Sequence, residues 1–257
     1  MKLNNVKFGV IVMVASLTLG TVSCKKDGCT DETATNYDSK AKKNDGSCEY
    51  EVAVEGTVNK TGAITANETW TSDKIYILTG KVIVNSGVTL TIQPGTIIKG
   101  AEGTGTLASA LVVAQGGKLN AVGTAALPII FTSVLDNIAV GQLSGTNLDE
   151  NDQGLWGGVI ILGYAPISAA DGDILSQIEG IPATDTFGAF GGSNSSDDSG
   201  DLAYISIRHG GALIGAGNEI NGLTLGGVGS GTSISNIEVV SNLDDGIEFF
   251  GGTVNIS

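Results

Sequence analysis

From Glu219 to Ser257 short apolar runs alternate with polar positions, and each run is closed by Gly, Asn or Asp. Alternation at period two puts Leu223 and Leu225, then Ile234, Ile237 and Val239, then Ile247 and Phe249 on one side of successive strands. NGLTLGG at Asn221–Gly227 returns as DGIEFFGG at Asp245–Gly252 about 24 residues later, a period of solenoid size. Strands this short cannot bury an apolar side alone. Stacked as coils, they share one core while main-chain groups pair with the coils above and below. The pattern predicts an all-β chain folded as a parallel β-helix.

Similar runs occur upstream. VTLTIQPGT at Val88–Thr96, ALVVAQGGK at Ala110–Lys118 and GVIILGYAP at Gly158–Pro166 align on Ile92, Val113 and Ile161. The intervals are 21 residues (113 − 92) and 48 residues (161 − 113), the second being two coils or one coil with an insertion. Gly95, Gly116 and Gly163 then mark corners where a Cβ would crowd the next coil. Gly56–Val84 reads as the opening turn, with Trp70 in its cap or, alternatively, as a sugar-stacking ring. Two stretches, Asp136–Gly154 and Pro182–Asp201, are too long and polar for corners. They predict loops thrown out of the solenoid, the kind of segment that carries binding on a rigid scaffold. Asp149, Glu150 and Asp152 in the first, and Asp197, Asp198 and Asp201 in the second, either collect a cation or are simply solvated. Trp156 is expected to pack under a neighbouring coil or loop, with an exposed glycan platform as the alternative. TVNIS stops in mid-strand with no polar cap, so the natural β-helix is expected to continue past Ser257, the alternative being a partner that covers that end.

Composition fits this picture. The 257 residues include 39 Gly and 4 Pro, with 5% aromatic and 16% charged residues, which suits a fold of many tight turns. The formal net charge of −14 argues against nucleic acid and anionic membrane surfaces as partners, because binding a polyanion needs Lys and Arg to displace its counterions. Cations and neutral glycans remain compatible. The same acidity also serves to keep a repetitive β protein soluble.

The chain opens with Lys2 and Lys7, an apolar run from Phe8 to Leu19 and small residues before Cys24, the layout of a secretory signal over residues 1–23. Cys24 directly after Val22-Ser23 resembles a bacterial lipoprotein signal, in which Cys24 becomes the lipidated first residue. That resemblance implies a membrane anchor through the N-terminal lipid and a place in the cell envelope as an outer-membrane lipoprotein. Lys25-Lys26-Asp27 resembles the charged tract of lipoproteins exposed at the outer surface. The alternative is an ordinary signal followed by a structural Cys. With Cys24 lipidated, Cys29 and Cys48 are left to pair as a disulfide in an oxidising compartment.

Residues 24–50 form a separate Asp/Asn-rich module ahead of the β-helix at 51–257. Its run CTDETATNYDSKAKKNDGSC resembles a small repeat of secreted bacterial proteins with the pattern CTDPTATNYNPNATVDDGSC. Asp31, Asn36, Asp38, Asn44 and Asp45 are the side chains that would offer oxygens to Ca²⁺, while Lys40, Lys42 and Lys43 add opposing charge. The alternative is that these Asp and Asn residues serve tight turns.

LAYISIRHGG, NEINGLTLGGVGSGT and NLDDGIEFFGGTVN together resemble a family of secreted bacterial right-handed parallel β-helix proteins, often lipoproteins, with a pectin-lyase-like fold. The resemblance runs from Glu51 to the end and implies fold and location, but no reaction. As β-helices also host polysaccharide lyases and hydrolases, Asp244, Asp245 and Glu248 are the candidate acids, with Arg208 the nearest base and His209 the only His. The four-motif set of polygalacturonase-like hydrolases is absent, since His209-Gly210-Gly211 precedes Asp244-Asp245 and the other two motifs are missing. The alternative for Asp244-Asp245-Gly246 is a backbone-bonded corner, and for Arg208 and His209 an outward-facing strand end, with Arg208 paired to an acid in the next coil. The function expected is a lipid-anchored envelope protein presenting a rigid surface to extracellular polysaccharide or a surface protein, without catalysis and without a cofactor other than Ca²⁺. A polysaccharide lyase or glycoside hydrolase and a passive surface stalk are the alternatives.

Overall fold

The computed structural model describes residues 26–31, 36–48, 56–169, 172–215 and 218–257. The signal segment, Cys24 and the join at residues 49–55 lie outside the described residues. The chain divides into two compact units, Met1–Ala53 and Val54–Ser257.

In the first unit the Cys29–Cys48 disulfide closes a loop with 4.7 Å between Cα atoms. Two short parallel strands pair beside it, Asp27–Gly28 just before Cys29 and Lys43–Asn44 within the loop.

The second unit is a parallel β-helix with three faces. The first face stacks Thr57–Lys60, Ile75–Leu78, Ile97–Gly100, Ile129–Ser133, and then the second halves of Gly200–Arg208 and Ser233–Val240. The second face stacks Gly62–Ile64, Lys81–Val84, Ala110–Val113, Val159–Leu162, Leu223–Gly226 and Ile247–Phe250. The third stacks Glu68–Trp70, Thr89–Ile92, Lys118–Val122 and the first halves of the two long strands, Gly200–Arg208 and Ser233–Val240. Among the described residues there is no α-helix, only two short 3₁₀ turns.

Period-two alternation decides what enters the core. Tyr76, Ile98, Phe131 and Ile207 from the first face meet Val82, Leu111, Ile161 and Leu225 from the second and Leu90, Leu119, Leu202 and Ile234 from the third. The long strands must bend between faces. At the bends of Thr57–Ile64 and Ile75–Val84 the left-handed residue is Gly62 or Gly80 (φ 66° and 63°), whereas in the two later strands it is Tyr204 or Asn236 (φ 49° and 53°). Asn adopts this conformation readily; Tyr does so at a cost of about 1–2 kcal/mol.

The 24-residue repeat is a true stack, with Leu223 opposite Ile247 and Leu225 opposite Phe249. The upstream alignment needs correction. Val113 does pair with Ile161, but Ile92 belongs to the third face and pairs with Ala121, while Val113 stacks on Val84. A short apolar strand followed by a Gly corner recurs on more than one face, so the local pattern does not say which face a run occupies. Gly56–Val84 likewise holds one whole coil and most of the next two faces.

The long insertions are not thrown outward. The segment 134–158 folds back over the outside of the first face, where Ile138 closes on Ile75, Ile97 and Ile130. The segment 163–199, with its hairpin Leu175–Gln177 and Ala189–Gly191, covers the second face through Ile178, Ile181 and Phe190. This coverage explains why strands such as Val159–Leu162 are apolar on both sides, while the uncovered third face keeps Thr91, Asn120, Asp201 and Ser233 outward.

Candidate functional site

A cleft of about 350 Å³ opens where the 134–158 segment stops covering the first face. Its floor follows from the strand register. Ile97 pairs with Ile130, Ile130 with Ser206 and Ser206 with Glu238, so one outward column changes from apolar to polar beyond the reach of Ile138. Arg208, His209, Glu238 and Ser241 form this side, and Asp136, Asp149 and Glu150 come from the segment opposite.

Arg208, His209 and Asp136 are each anchored. Arg208 donates through Nε to Ser206 Oγ (2.8 Å) and through one Nη to the carbonyl of Leu143 (2.8 Å), and its other Nη lies 3.8 Å from a Glu238 oxygen. The acid from the next coil is thus the partner expected for Arg208. His209 has φ 59° and is buried, with Nδ1 2.7 Å from the carbonyl of Asp152. It is therefore not an outward strand end: the insertion covers it. Asp136, also buried, accepts from Thr132 Oγ1 and from the Ile138 N–H. Beneath it Lys99 Nζ donates to the carbonyls of Asp136 and Ile138 (2.7 and 2.8 Å). Burial holds the Lys99 ammonium below the usual lysine value, and the nearby Asp136 carboxylate only partly offsets this.

The three candidate acids lie elsewhere. Asp244 and Asp245 sit exposed on a corner, where the Asp245 carbonyl accepts from Asn242 Nδ2 and the Gly222 N–H. Glu248, on the strand Ile247–Phe250, accepts from Asn221 Nδ2. None of the three lines the cleft that holds Arg208 and His209.

Residues 62–257 match the family described as pectate-lyase like beta helix domain. The chain belongs to that family. No curated protein and no solved structure matches it.

Within this β-helix domain the sequence had pointed to Arg208 and His209 but not to Glu238 or Asp136. The signal for Glu238 was the equivalence of the strands Gly200–Arg208 and Ser233–Val240, which places it one coil from Ser206. Asp136 carried no local signal, because its role comes from where its insertion lands. Both Trp residues are buried. Trp70, in the first coil, stacks on Tyr76 with ring centroids 4.7 Å apart and its Nε1 donates to Glu68, so the buried ring is not a sugar platform. Trp156 packs inside the coil as expected, stacked on Phe131.

The acidic triplets of the insertions do local work. Asp149 and Asp152 bond to each other's turn through backbone N–H groups. Asp198 pairs with Lys118, which holds its carboxyl below the usual range. Asp197 is buried, and burial holds its carboxyl above the usual value although Tyr164 N–H and Ser199 Oγ donate to it. Asp201 points outward on the third face.

In the first unit Asp38, Asn44 and Asp45 each accept from a backbone N–H two residues on, at Lys40, Gly46 and Ser47. Asp38 also pairs with Lys26, and both Asp38 and Asp45 are held below the usual carboxylate value, by Lys26 and by Ser47 respectively. Asn36 Nδ2 donates to the Ser47 carbonyl, and Asp31 lies two residues beyond Cys29, whose Sγ meets its carbonyl. Among the described residues no group of three or more His, Cys, Asp or Glu is placed to hold a metal ion.

Proposed function

We propose that this protein is a lipid-anchored envelope protein whose β-helix presents a rigid surface to extracellular glycan and binds it without turnover. The observation that carries the reading is the state of Arg208. Two of its donor groups are spent on Ser206 and on the loop carbonyl of Leu143, and a third faces Glu238, so the guanidinium clamps the insertion to the coil. A lyase base needs a free, substrate-facing nitrogen, and a hydrolase needs two carboxylates converging on one bond. Arg208 is engaged, and Asp244, Asp245 and Glu248 lie apart from it. Membership of the β-helix family and the long covered scaffold support a glycan-related surface role. Anchoring through Cys24 and a surface location rest on the N-terminal sequence alone.

The test is a glycan array with a product-release assay on the full chain, with and without Ca²⁺, beside Asp245→Asn. Binding without release of unsaturated or reducing sugar, unchanged in Asp245→Asn, is the expected result. A second reading, a lyase, is favoured by the gathering of Arg208 and His209 with Glu238, Asp149 and Glu150 in one cleft. Release of unsaturated product that Arg208→Lys abolishes would establish it and overturn the first.

A further inference from the structure

A second cleft lies at the corners that follow the second face and shares no lining residue with the first. It has a volume of about 370 Å³ and no charged side chain among its lining residues. Three successive coils build its floor: Asn85 and Ser86 from one corner, Ala114 and Gln115 from the next, and Tyr164 from the third. At the spacing of β-strands these coils cover about 10 Å. The wall is Thr186 and Phe187, brought in by the 163–199 insertion, with Phe187 half-buried against the outside of the second face.

We propose that this cleft binds an uncharged saccharide, with its C–H face on Tyr164 and Phe187 and its hydroxyls on the surrounding amides and hydroxyls. The inference rests on the glycan-binding reading and gives it a site. Three observations support a built site. Gly116 has φ 78°, and a Cβ there would stand 2.6 Å from Ser86 Oγ and 3.4 Å from the Tyr164 hydroxyl. Those two hydroxyls therefore converge over a position that only Gly leaves open. Gln115 commits Nε2 to the carbonyls of Gly163 and Gly191, both at 2.8 Å, which fixes the amide and leaves Oε1 as its remaining acceptor. Tyr164 is 39% exposed, yet its backbone is pinned, with its carbonyl accepting from Asn194 and its N–H donating to Asp197.

The chemistry points to a sugar. An aromatic face takes the apolar side of a pyranose ring, while amides and hydroxyls both donate to and accept from its hydroxyls. The volume is in the range of small-ligand sites, and groups fixed before binding lose little entropy when it occurs. With no cation in the lining and a net charge of −14, a carboxylated glycan gains nothing here and is repelled by the chain.

Calorimetric titration of the full chain tests this, using uncharged gluco-, xylo- and manno-oligosaccharides of two to four residues and oligogalacturonate of matching length. We expect an uncharged series to bind, and Tyr164→Ala to weaken it at least ~10-fold, as loss of a stacked ring does at other aromatic sites. Tyr164→Phe keeps the ring and loses only a few-fold. Ser86→Phe fills the cleft from an exposed corner without removing any packing, and should also abolish binding even if Tyr164→Ala lowers stability. Saccharide binding that ignores both Tyr164→Ala and Ser86→Phe overturns this site and leaves the glycan reading intact. Preference for oligogalacturonate overturns the uncharged class. Failure of every saccharide to bind overturns the glycan reading and this site with it.

Discussion

Gly100→Ala is the sharpest test of how the first insertion is locked into the coil. A Cβ at Gly100 would lie 2.5 Å from Trp156 Cε3 and 2.7 Å from its Cβ and Cδ2. The ring has nowhere to retreat: it is fully buried, stacked on Phe131 at 6.4 Å, and tied by Nε1 to the Arg208 carbonyl at 2.7 Å. Overpacking of this kind costs about 1–3 kcal/mol, a fall of roughly 2–12 °C in Tm at about 2–4 °C per kcal/mol for a domain of this size. Trp156→Ala alone should cost about 3–5 kcal/mol through the cavity and the abandoned carbonyl. In the Trp156→Ala background the clash has gone, and Gly100→Ala should become neutral or gain up to about 1 kcal/mol, because Gly is poor in a strand. Urea unfolding followed by far-UV circular dichroism measures all four corners of this cycle. The two substitutions should couple by about 1–4 kcal/mol. Additivity within about 0.5 kcal/mol would refute the placement of Trp156 over Gly100.

Other consequences are open to measurement. Burial holds the Asp197 carboxyl above its ordinary value, so between those two values the folded state binds more protons than the unfolded one, and stability is gained as pH falls. The stability of the wild type relative to Asp197→Asn should therefore rise as pH is lowered from 7 towards 4 in paired urea titrations; a flat difference would contradict this. Arg208→Ala breaks the bond to the Leu143 carbonyl, and proteolysis should become faster within the 134–158 segment, with a stability loss of about 1–3 kcal/mol; unchanged cleavage would show that Arg208 does not clamp it. Gln115→Leu strips the carbonyls of Gly163 and Gly191 of a shared donor and should cost about 1–3 kcal/mol by thermal unfolding. Removing the Cys29–Cys48 disulfide, whose partners are 19 residues apart, should cost the small unit about 3 kcal/mol while the β-helix transition stays in place, as calorimetry of Cys29→Ser with Cys48→Ser would show.

How far the sequence could be read depended on whether the relevant forces were local. Period-two alternation and the return of NGLTLGG as DGIEFFGG were enough for a parallel β-helix, because strand geometry and coil stacking are set by neighbouring residues. Trp156 was likewise legible as buried, and reading Cys24 as the lipid site left Cys29 and Cys48 as the pair that the structure joins. Face assignment was not local. Ile92 and Val113 look alike in sequence, yet one faces the third ladder and the other the second, since corner lengths vary and each ladder demands the same apolar-then-Gly run.

The site was less legible than the fold. Asp244, Asp245 and Glu248 stood out as a dense acidic group, but none of them lines the cleft that holds Arg208 and His209. The groups that do surround Arg208 come from Ser206, Glu238 and an insertion more than fifty residues upstream. By itself the sequence determined the strand period, the coil and the net negative charge, because alternation and composition need no long-range contact. Only the tertiary structure decided which face each strand joins, that the insertions lie back over two faces, and which side chains meet in the two clefts. Those outcomes depend on register between coils and on where a long segment finds apolar surface to cover, and no stretch of chain contains both partners of either choice.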